Sequence, residues 1–511
     1  MIMLCCIATL LFSQSMEFGP DIQISKEEYK ERRQKLINML VDGPIVLVGN
    51  VQRNRINDTY YEFRQESNFL YLSGFNEPDA YMILSKTPFE VNGKMVNEVL
   101  FVPENSLRSM TWDGKKLGVK GAKEKSGFEA VLPTFTDHDN SRKTPKINNF
   151  ETFLTALGLA HHNFHVNTPI LHTHTFQSSS KESYWDKFTT DMKESLEKAY
   201  TSSLKDTRKT KSIQEENPIT IYDKSRLWMA LKSLRDIKSE TEKKLLQRAI
   251  DITNVGHFEA FKMSKHVDNE YQVEAALEYA FKFNGAEDVG YNSIVGCGMN
   301  GTILHYNTNR EKYKHNEMFV VDAGAEYHGY TADITRSFPA GGTFSKEQKE
   351  IYQIVLDAQN AGAKEFLAGK TYRDVSHAID NVRIKGLLNL GLIKENPSIS
   401  DAKKQKEHLW KQMRQLTLHG WGHPIGLDVH DPSRYFDETF KEGMIWTIEP
   451  GIYISDRTTL DIPEKYLGIG VRIEDMYLIT SDGNVHMSKK LPREISEIET
   501  VMKERSGLLL R

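Results

Sequence analysis

Two aspartates interrupt an apolar run that otherwise has the pattern of a buried β-hairpin. The run is FVVDAGAEYHGYTADITRSF, residues 319–338, and its arms flank a turn at Tyr327-His328-Gly329. Asp322 and Asp333 stand on opposite arms at nearly equal distances from that turn, so they can lie side by side across the hairpin. Two carboxylates held together in an apolar ladder repel each other and are costly to bury. A cation would remove that cost. The alternative is that one aspartate caps the turn and the other faces water. Two further acids repeat the pattern. Glu449 follows Trp446-Thr447-Ile448 and precedes Pro450-Gly451, and Glu474 lies in Gly470-Val471-Arg472-Ile473-Glu474-Asp475 ahead of the apolar run 476–480. One such acid is usually a local hydrogen-bonding feature, but four in one region point to a metal site.

The histidines narrow the metal. Of 17, four lie here in glycine-rich or apolar contexts: His305 in ILHY, and His419, His423 and His430 in LHGWGHPIGLDVHD. Gly420, Gly422 and Gly426 allow close backbone approach around His423. One imidazole with four carboxylates is a hard, oxygen-rich ligand set, better matched to Mn²⁺ than to a structural zinc. Only Cys5, Cys6 and Cys297 occur, which excludes a cysteine-built zinc site or a disulfide framework. The formal charge of −4 argues against nucleic-acid binding by bulk charge, and no apolar run is long enough to span a membrane.

Around this site the chain divides in two. Residues 24–203 mix an amphipathic helix over 27–40 with short apolar strands at 45–48, 81–84 and 99–102, the pattern of a compact α/β unit. The charged segment 204–235 is expected to be a linker. Residues 236–504 carry helices opening at the capping boxes Ser239-x-x-Glu242 and Ser345-x-x-Gln348, a helix over 269–283 stopped by Gly285, and another from about 373 to 391. Strands are expected at 318–325, 332–338, 444–448 and 470–480, so the larger unit is α+β. The first residues, MIMLCCIATLLF, have the length of a signal-peptide core, and Ser13-Gln14-Ser15 offers a cleavage site within 1–15. No Lys or Arg precedes Lys26, which leaves a misassigned start or a loose tail as the alternative; the balance favours export.

The blocks DAGAEYHGYTADITR, HGWGHPIGLDVHD, TIEPGIYI and GIGVRIED resemble the signature segments of the metal-dependent pita-bread peptidases, and within them the aminopeptidase P (Xaa-Pro aminopeptidase) family. NDTYYEFRQESNFLYLSGFNEPDA (57–80) and WDGKKLG (112–118) resemble that family's N-terminal domain. The resemblance implies a smaller α/β domain ahead of a pita-bread catalytic domain, and release of the first residue from peptides with proline second. It implies two divalent ions held by Asp322, Asp333, His423, Glu449 and Glu474, with Asp333 and Glu474 bridging, Asp322 on one ion, and His423 and Glu449 on the other. A hydroxide between the ions would attack the Xaa-Pro amide, and Glu449 would accept its proton. His430 would contact the peptide at the scissile bond, while His419 and His305 would position the proline and the carbonyl. Arg472 and Tyr453 would order the surroundings of the ligands, and Asp58 would meet the substrate's free amine. Family members form dimers or tetramers in which a neighbour reaches the site, a role that would fall to Trp112.

Related readings are separable. Prolidase-like chains carry a longer segment between the VHD and EPG blocks than 431–448, and methionine aminopeptidases lack a large N-terminal domain. Creatinase and non-catalytic peptide-binding relatives would show gaps among the five ligand positions, and there are none. The segment 163–223 and the polar insert 396–413 depart most from the family, a departure that bears on substrate size rather than on the chemistry. Three further features carry no site. Gly296–Gly301 fits GxGxxG but leads into Thr302-Ile303-Leu304-His305 rather than a helix. His161, His162, His165, His172 and His174 lack acidic partners, and the basic run 205–211 is expected to be solvated.

Overall fold

The computed structural model describes residues 20–40, 43–136, 147–148, 165–166, 224–436 and 439–509. The expected signal segment 1–15, the stretch 204–223, His161, His162, His172, His174 and the basic run 205–211 lie outside the described residues. Among the described residues, no helix is long and apolar enough to cross a membrane.

Helix Lys26–Met39 opens the first unit, with Ser25 accepting from the Glu28 N–H at its start. Its buried side carries Leu36 and Ile37 but also Arg33, which is fully buried. Arg33 donates to both carboxylate oxygens of Glu98, at 2.7 and 3.0 Å, and to the carbonyls of Leu72 and Ser126. A buried guanidinium is tolerated because its donors are paired in this way. Glu98 lies in strand Lys94–Val102, so the helix is fastened to a five-stranded sheet. That sheet runs Ala130–Pro133, Lys94–Val102, Tyr81–Val91, Ile45–Val48 and His165–Val166, with the expected apolar strands at its centre.

The end of the expected linker is not a linker. Lys224–Asp236 is a helix whose Leu227, Ala230 and Leu231 are buried in the core. Charge at Lys224, Arg226, Lys232 and Arg235 masks an apolar stripe at helical spacing.

The second unit follows its start signals. Helices Glu240–Met263, Glu270–Phe283, Lys346–Glu365 and Tyr372–Asn389 pair up, each behind a capping box. The insert 396–413 becomes helix Ala402–Met413, which packs on Tyr372–Asn389 through Leu409 and Met413. Cys297 ends strand Ile294–Cys297, and a short 3₁₀ turn, Asn300–Thr302, follows, so the GxGxxG segment opens no helix.

Strands Met318–Ala323 and Ile334–Pro339 pair with Asp322 opposite Thr335, and Glu326 pairs with Thr331 nearer the turn. Asp322 and Asp333 are therefore diagonal neighbours on one face rather than directly opposed. The expected strand 470–480 is broken. Ile469–Arg472 pairs with Gly451–Ile454, while Asp475–Thr480 pairs with Ile445–Ile448. The registers Gly451↔Arg472 and Ile448↔Asp475 put Glu449 and Glu474 facing each other where the ladder opens. Pro450 has no N–H to continue it.

The hairpin turn has His328 at φ 50° and Gly329 at φ 80°, the left-handed pair that a two-residue turn requires. His328 lies 2.6 Å from Asp21 Oδ1 and 3.3 Å from Glu287 Oε1. The Glu287 contact, and then Asp21, hold its pKa above the ordinary value against partial burial. A raised histidine pKa stabilises the fold below about pH 6.5 and loses that contribution as pH rises through the folded value. We expect the urea midpoint of the native protein to fall between about pH 6 and about pH 8.5, and to fall less in His328→Asn. Equal slopes would show that the ion pairs contribute nothing.

Candidate active site

The face of the hairpin that carries Asp322 and Asp333 forms one wall of a cavity of about 860 Å³. His423, Glu449 and Glu474 complete the wall, each set by its backbone. The Glu449 N–H donates to the Trp421 carbonyl at 2.7 Å, and the Glu474 N–H to the Thr335 carbonyl at 3.1 Å. The His423 carbonyl accepts from the Thr447 N–H at 2.9 Å, and the Thr447 hydroxyl accepts from the His423 N–H at 3.1 Å. Gly422 makes this approach feasible, since a Cβ there would collide with the Thr447 carbonyl.

Four carboxylates and one imidazole meet here, with Asp322, Asp333, His423 and Glu474 buried and Glu449 half-buried. Burial, and then the neighbouring acids, push Asp333, Glu449 and Glu474 well above the usual carboxylate range. Burial lowers His423 to about 4, so the ring is neutral. Its Nδ1 lies 3.2 Å from the Pro424 carbonyl, which can only accept, so the proton sits on Nδ1. The bare Nε2 then faces Asp333 Oδ2 at 3.4 Å and Glu449 Oε1 at 3.5 Å. A lone pair facing two carboxylates is repulsive unless a cation, or a proton held by one of the acids, lies between them. Tyr291 gives a second sign: its hydroxyl lies 2.5 Å from Asp322 Oδ1 and 2.6 Å from Asp333 Oδ1, yet has one proton to give. Ligand atoms of Asp333, His423 and Glu474 lie within 4.8 Å of one another. The donor set therefore fits divalent metal ions, with oxygen ligands in the majority.

Residues 244–481 match the model of metallopeptidase family M24, and residues 29–144 that of the aminopeptidase P N-terminal domain. The Xaa-Pro aminopeptidase of Haemophilus influenzae is 33% identical over 493 residues, 95% of this chain and 100% of the relative.

The chain belongs to the aminopeptidase P family.

The Xaa-Pro aminopeptidase of Escherichia coli is 31% identical, covering 94% of this chain and 98% of its own. A structure of zinc-substituted E. coli aminopeptidase P in complex with product aligns with a TM-score of 0.76 at 30% identity, over 94% of this chain and 99% of that one. The fold is accordingly the pita-bread metallopeptidase fold behind an aminopeptidase P N-terminal domain, and this member is a metallo-aminopeptidase that uses divalent metal ions.

In this aminopeptidase P family member, the other site residues separate into those that line the cavity, Tyr453 buried directly behind them, and Asp58 apart. His305, His419, His430 and Arg472 line it. The His430 ring stacks on His423 with centroids 3.8 Å apart, and its pKa falls to about 3 through lost hydration, then through His423 and His305. His419 lies 2.7 Å from the Tyr453 hydroxyl through Nε2 and 3.4 Å from Glu449 Oε2 through Nδ1. Arg472 donates to Asp322 Oδ2 at 2.6 Å, to the Tyr453 hydroxyl at 2.7 Å and to the Thr335 hydroxyl at 3.0 Å. Asp58 stands apart. It occupies the turn between strands Asn54–Ile56 and Thr59–Tyr60, is exposed, and does not line the cavity of its own chain. Among the described residues the hairpin's two strands pair with each other and with no further strand.

Several residues at the site escape a sequence reading. Tyr291 sits in a loop with no periodic signal. Thr335, which donates to Glu474 Oε2 at 2.6 Å, could have been found: it follows Asp333 by two residues and so shares its face. Gln359 donates to the carbonyls of Ile448 and Ile473, directly ahead of both glutamates, from a helix that reads as ordinary core.

Proposed function

We propose that the protein removes the N-terminal residue from peptides with proline in second position, and that it does so with two Mn²⁺ ions held by Asp322, Asp333, His423, Glu449 and Glu474. The observation that carries this reading is the convergence of those five side chains, with a neutral imidazole lone pair turned toward two carboxylates. Bound there, divalent cations make water nucleophilic near neutral pH and stabilise the oxyanion that forms on the scissile carbonyl.

The chain's own groups do the rest. Glu449 has one edge toward the cavity, which places it to accept the nucleophile's proton and pass it to the proline nitrogen. His430 and His305 present imidazoles at the mouth of the cavity to hold the peptide carbonyl. Arg472 keeps Asp322 and Tyr453 in place, and Tyr453 in turn orients His419 against the proline ring. An Xaa-Pro bond lacks an amide N–H and has a fixed φ, so enzymes that read an extended backbone handle it poorly, whereas a site that grips the ring selects it. Exposed Trp112 and Leu107 are consistent with a dimer or tetramer, to be checked by light scattering.

Hydrolysis of Arg-Pro-Pro, Ala-Pro and Ala-Ala-Ala after chelation and Mn²⁺ add-back tests the reading. Manganese-restored cleavage of Arg-Pro-Pro alone is the expected result. Cleavage confined to Ala-Pro would replace it with a dipeptidase, and cleavage of Ala-Ala-Ala at a similar rate would remove the proline specificity.

A further inference from the structure

Beyond the ligand cluster, the same cavity has a basic wall. Helices Tyr372–Asn389 and Ala402–Met413, with the residue that follows, bring Asp380, Arg383, Trp410 and Arg414 to it. Arg383 is 3% exposed. Its Nη2 donates to Asp380 Oδ1, but its Nε and Nη1 are buried and have no hydrogen-bond partner among the described residues. A buried charged donor without an acceptor is a defect that folds seldom retain without a use. Arg414 uses Nη1 on the carbonyls of Thr417, at 3.2 Å, and His419, at 2.9 Å, and has no carboxylate partner among the described residues. Asp380, which also accepts from Trp410 Nε1 at 3.3 Å, is thus, among the described residues, the carboxylate paired on this wall, and it is paired with Arg383. Apolar side chains such as Tyr372, Trp421 and Phe436 line much of the cavity, with acids where the metals would bind and two guanidinium groups beside Asp380 on this wall.

We propose that Arg383, together with Arg414, is a carboxylate-binding subsite for the peptide. It takes the C-terminal carboxylate of a short substrate, or an acidic side chain at the same place. The link to the chemistry is short: Arg414 holds the carbonyl of His419, whose ring lies 3.4 Å from Glu449. A cavity of about 860 Å³ holds a peptide of a few residues, so a carboxylate on this wall is compatible with a scissile bond at the ligand cluster. The guanidinium is suited to the task because it remains charged even when buried. The proposal rests on the exopeptidase reading of this cavity.

Calorimetry on the metal-loaded protein tests it with three dipeptides that correspond to released fragments: Pro-Ala, Pro-Ala amide and Pro-Glu amide. We expect Pro-Ala to bind about tenfold tighter than its amide. In Arg383→Gln and in Arg414→Gln that ratio should fall to within about twofold. A merely structural role would weaken acid and amide alike and leave the ratio unchanged. Pro-Glu amide binding as tightly as Pro-Ala would show that the subsite accepts a side-chain carboxylate as well, and weak binding would restrict it to the chain terminus. Arg414 is partly exposed, so Arg414→Gln carries the test if Arg383→Gln does not fold. Acid and amide within twofold in the starting protein, or a ratio retained in the variants that fold, would overturn the subsite. Cleavage of Ala-Pro-Ala by the same preparation reports separately on the exopeptidase reading: acid preference without cleavage would keep the subsite and sink the peptidase.

Discussion

Asp333→Asn is expected to abolish metal-dependent turnover while making the metal-free protein more stable. Asp333 sits in crowded surroundings. It is 4% exposed, lies within reach of the Tyr291 hydroxyl and His423, and burial together with Asp322 raises its pKa. An amide in its place keeps the shape and removes one negative charge. If the metal pair contributes about 4 kcal/mol of transition-state stabilisation, its loss lowers kcat/KM by about 10³-fold. Calorimetric titration with Mn²⁺ should show fewer ions bound per chain. In the absence of metal the same change relieves repulsion among four converging carboxylates, so the melting temperature after chelation should rise above that of the native protein. This opposition of stability and activity is expected where a fold keeps a strained charge cluster for use. Lower stability in the chelated variant, with metal binding retained, would mean that Asp333 serves the fold and not a cation.

The five side chains that converge on the cavity were legible because each is an anomaly within a pattern. Asp322, Asp333, Glu449 and Glu474 are acids in apolar runs, and His423 sits among glycines. The helix starts were legible for a similarly local reason: Ser239 with Glu242, and Ser345 with Gln348, form capping boxes that depend on four consecutive residues. What escaped depends on distant partners. The break at Glu474 comes from a proline across the ladder and from the Thr335 carbonyl on another hairpin, and 470–480 by itself reads as one strand. The same holds for Lys224–Asp236, where charge outweighs a three-residue apolar stripe until the N-terminal domain supplies a surface to cover it. Asp58 shows the converse limit, since a position inferred from resemblance carries no account of which surface its hairpin faces.

Replacing Arg235 with methionine is expected to damage both the fold and the turnover, through one junction. Arg235 is 2% exposed at the end of helix Lys224–Asp236, and three partners converge on it. Nη1 donates to Asn68 Oδ1 at 2.8 Å in the N-terminal unit, and Nη2 donates to Asp428 Oδ2 at 2.6 Å and to Asp431 Oδ1. Asp428 also accepts from the Ser67 hydroxyl at 2.6 Å, and Asp431 from Lys238 Nζ at 2.9 Å. The two aspartates bracket Val429 and His430, so the N-terminal unit fixes the loop from which His430 reaches the cavity. Breaking a buried pair by removing one partner costs about 3–5 kcal/mol, because the remaining charge is stranded. Burial pushes the Asp431 pKa up, but Arg235 and Lys238 more than offset it, so its folded value is depressed. Such a group stabilises the protein above about pH 4 and loses that contribution as pH falls through the folded value, so the variant should also lose part of the native acid sensitivity. Arg33→Met is the matched control, since Arg33 is equally buried on Glu98 but remote from the cavity. Both variants should lose urea stability to a similar degree. At a temperature where both remain folded, Arg235→Met alone should lose kcat. Equal kcat losses in the two would show that the junction acts through global stability, and His430 would then not depend on it.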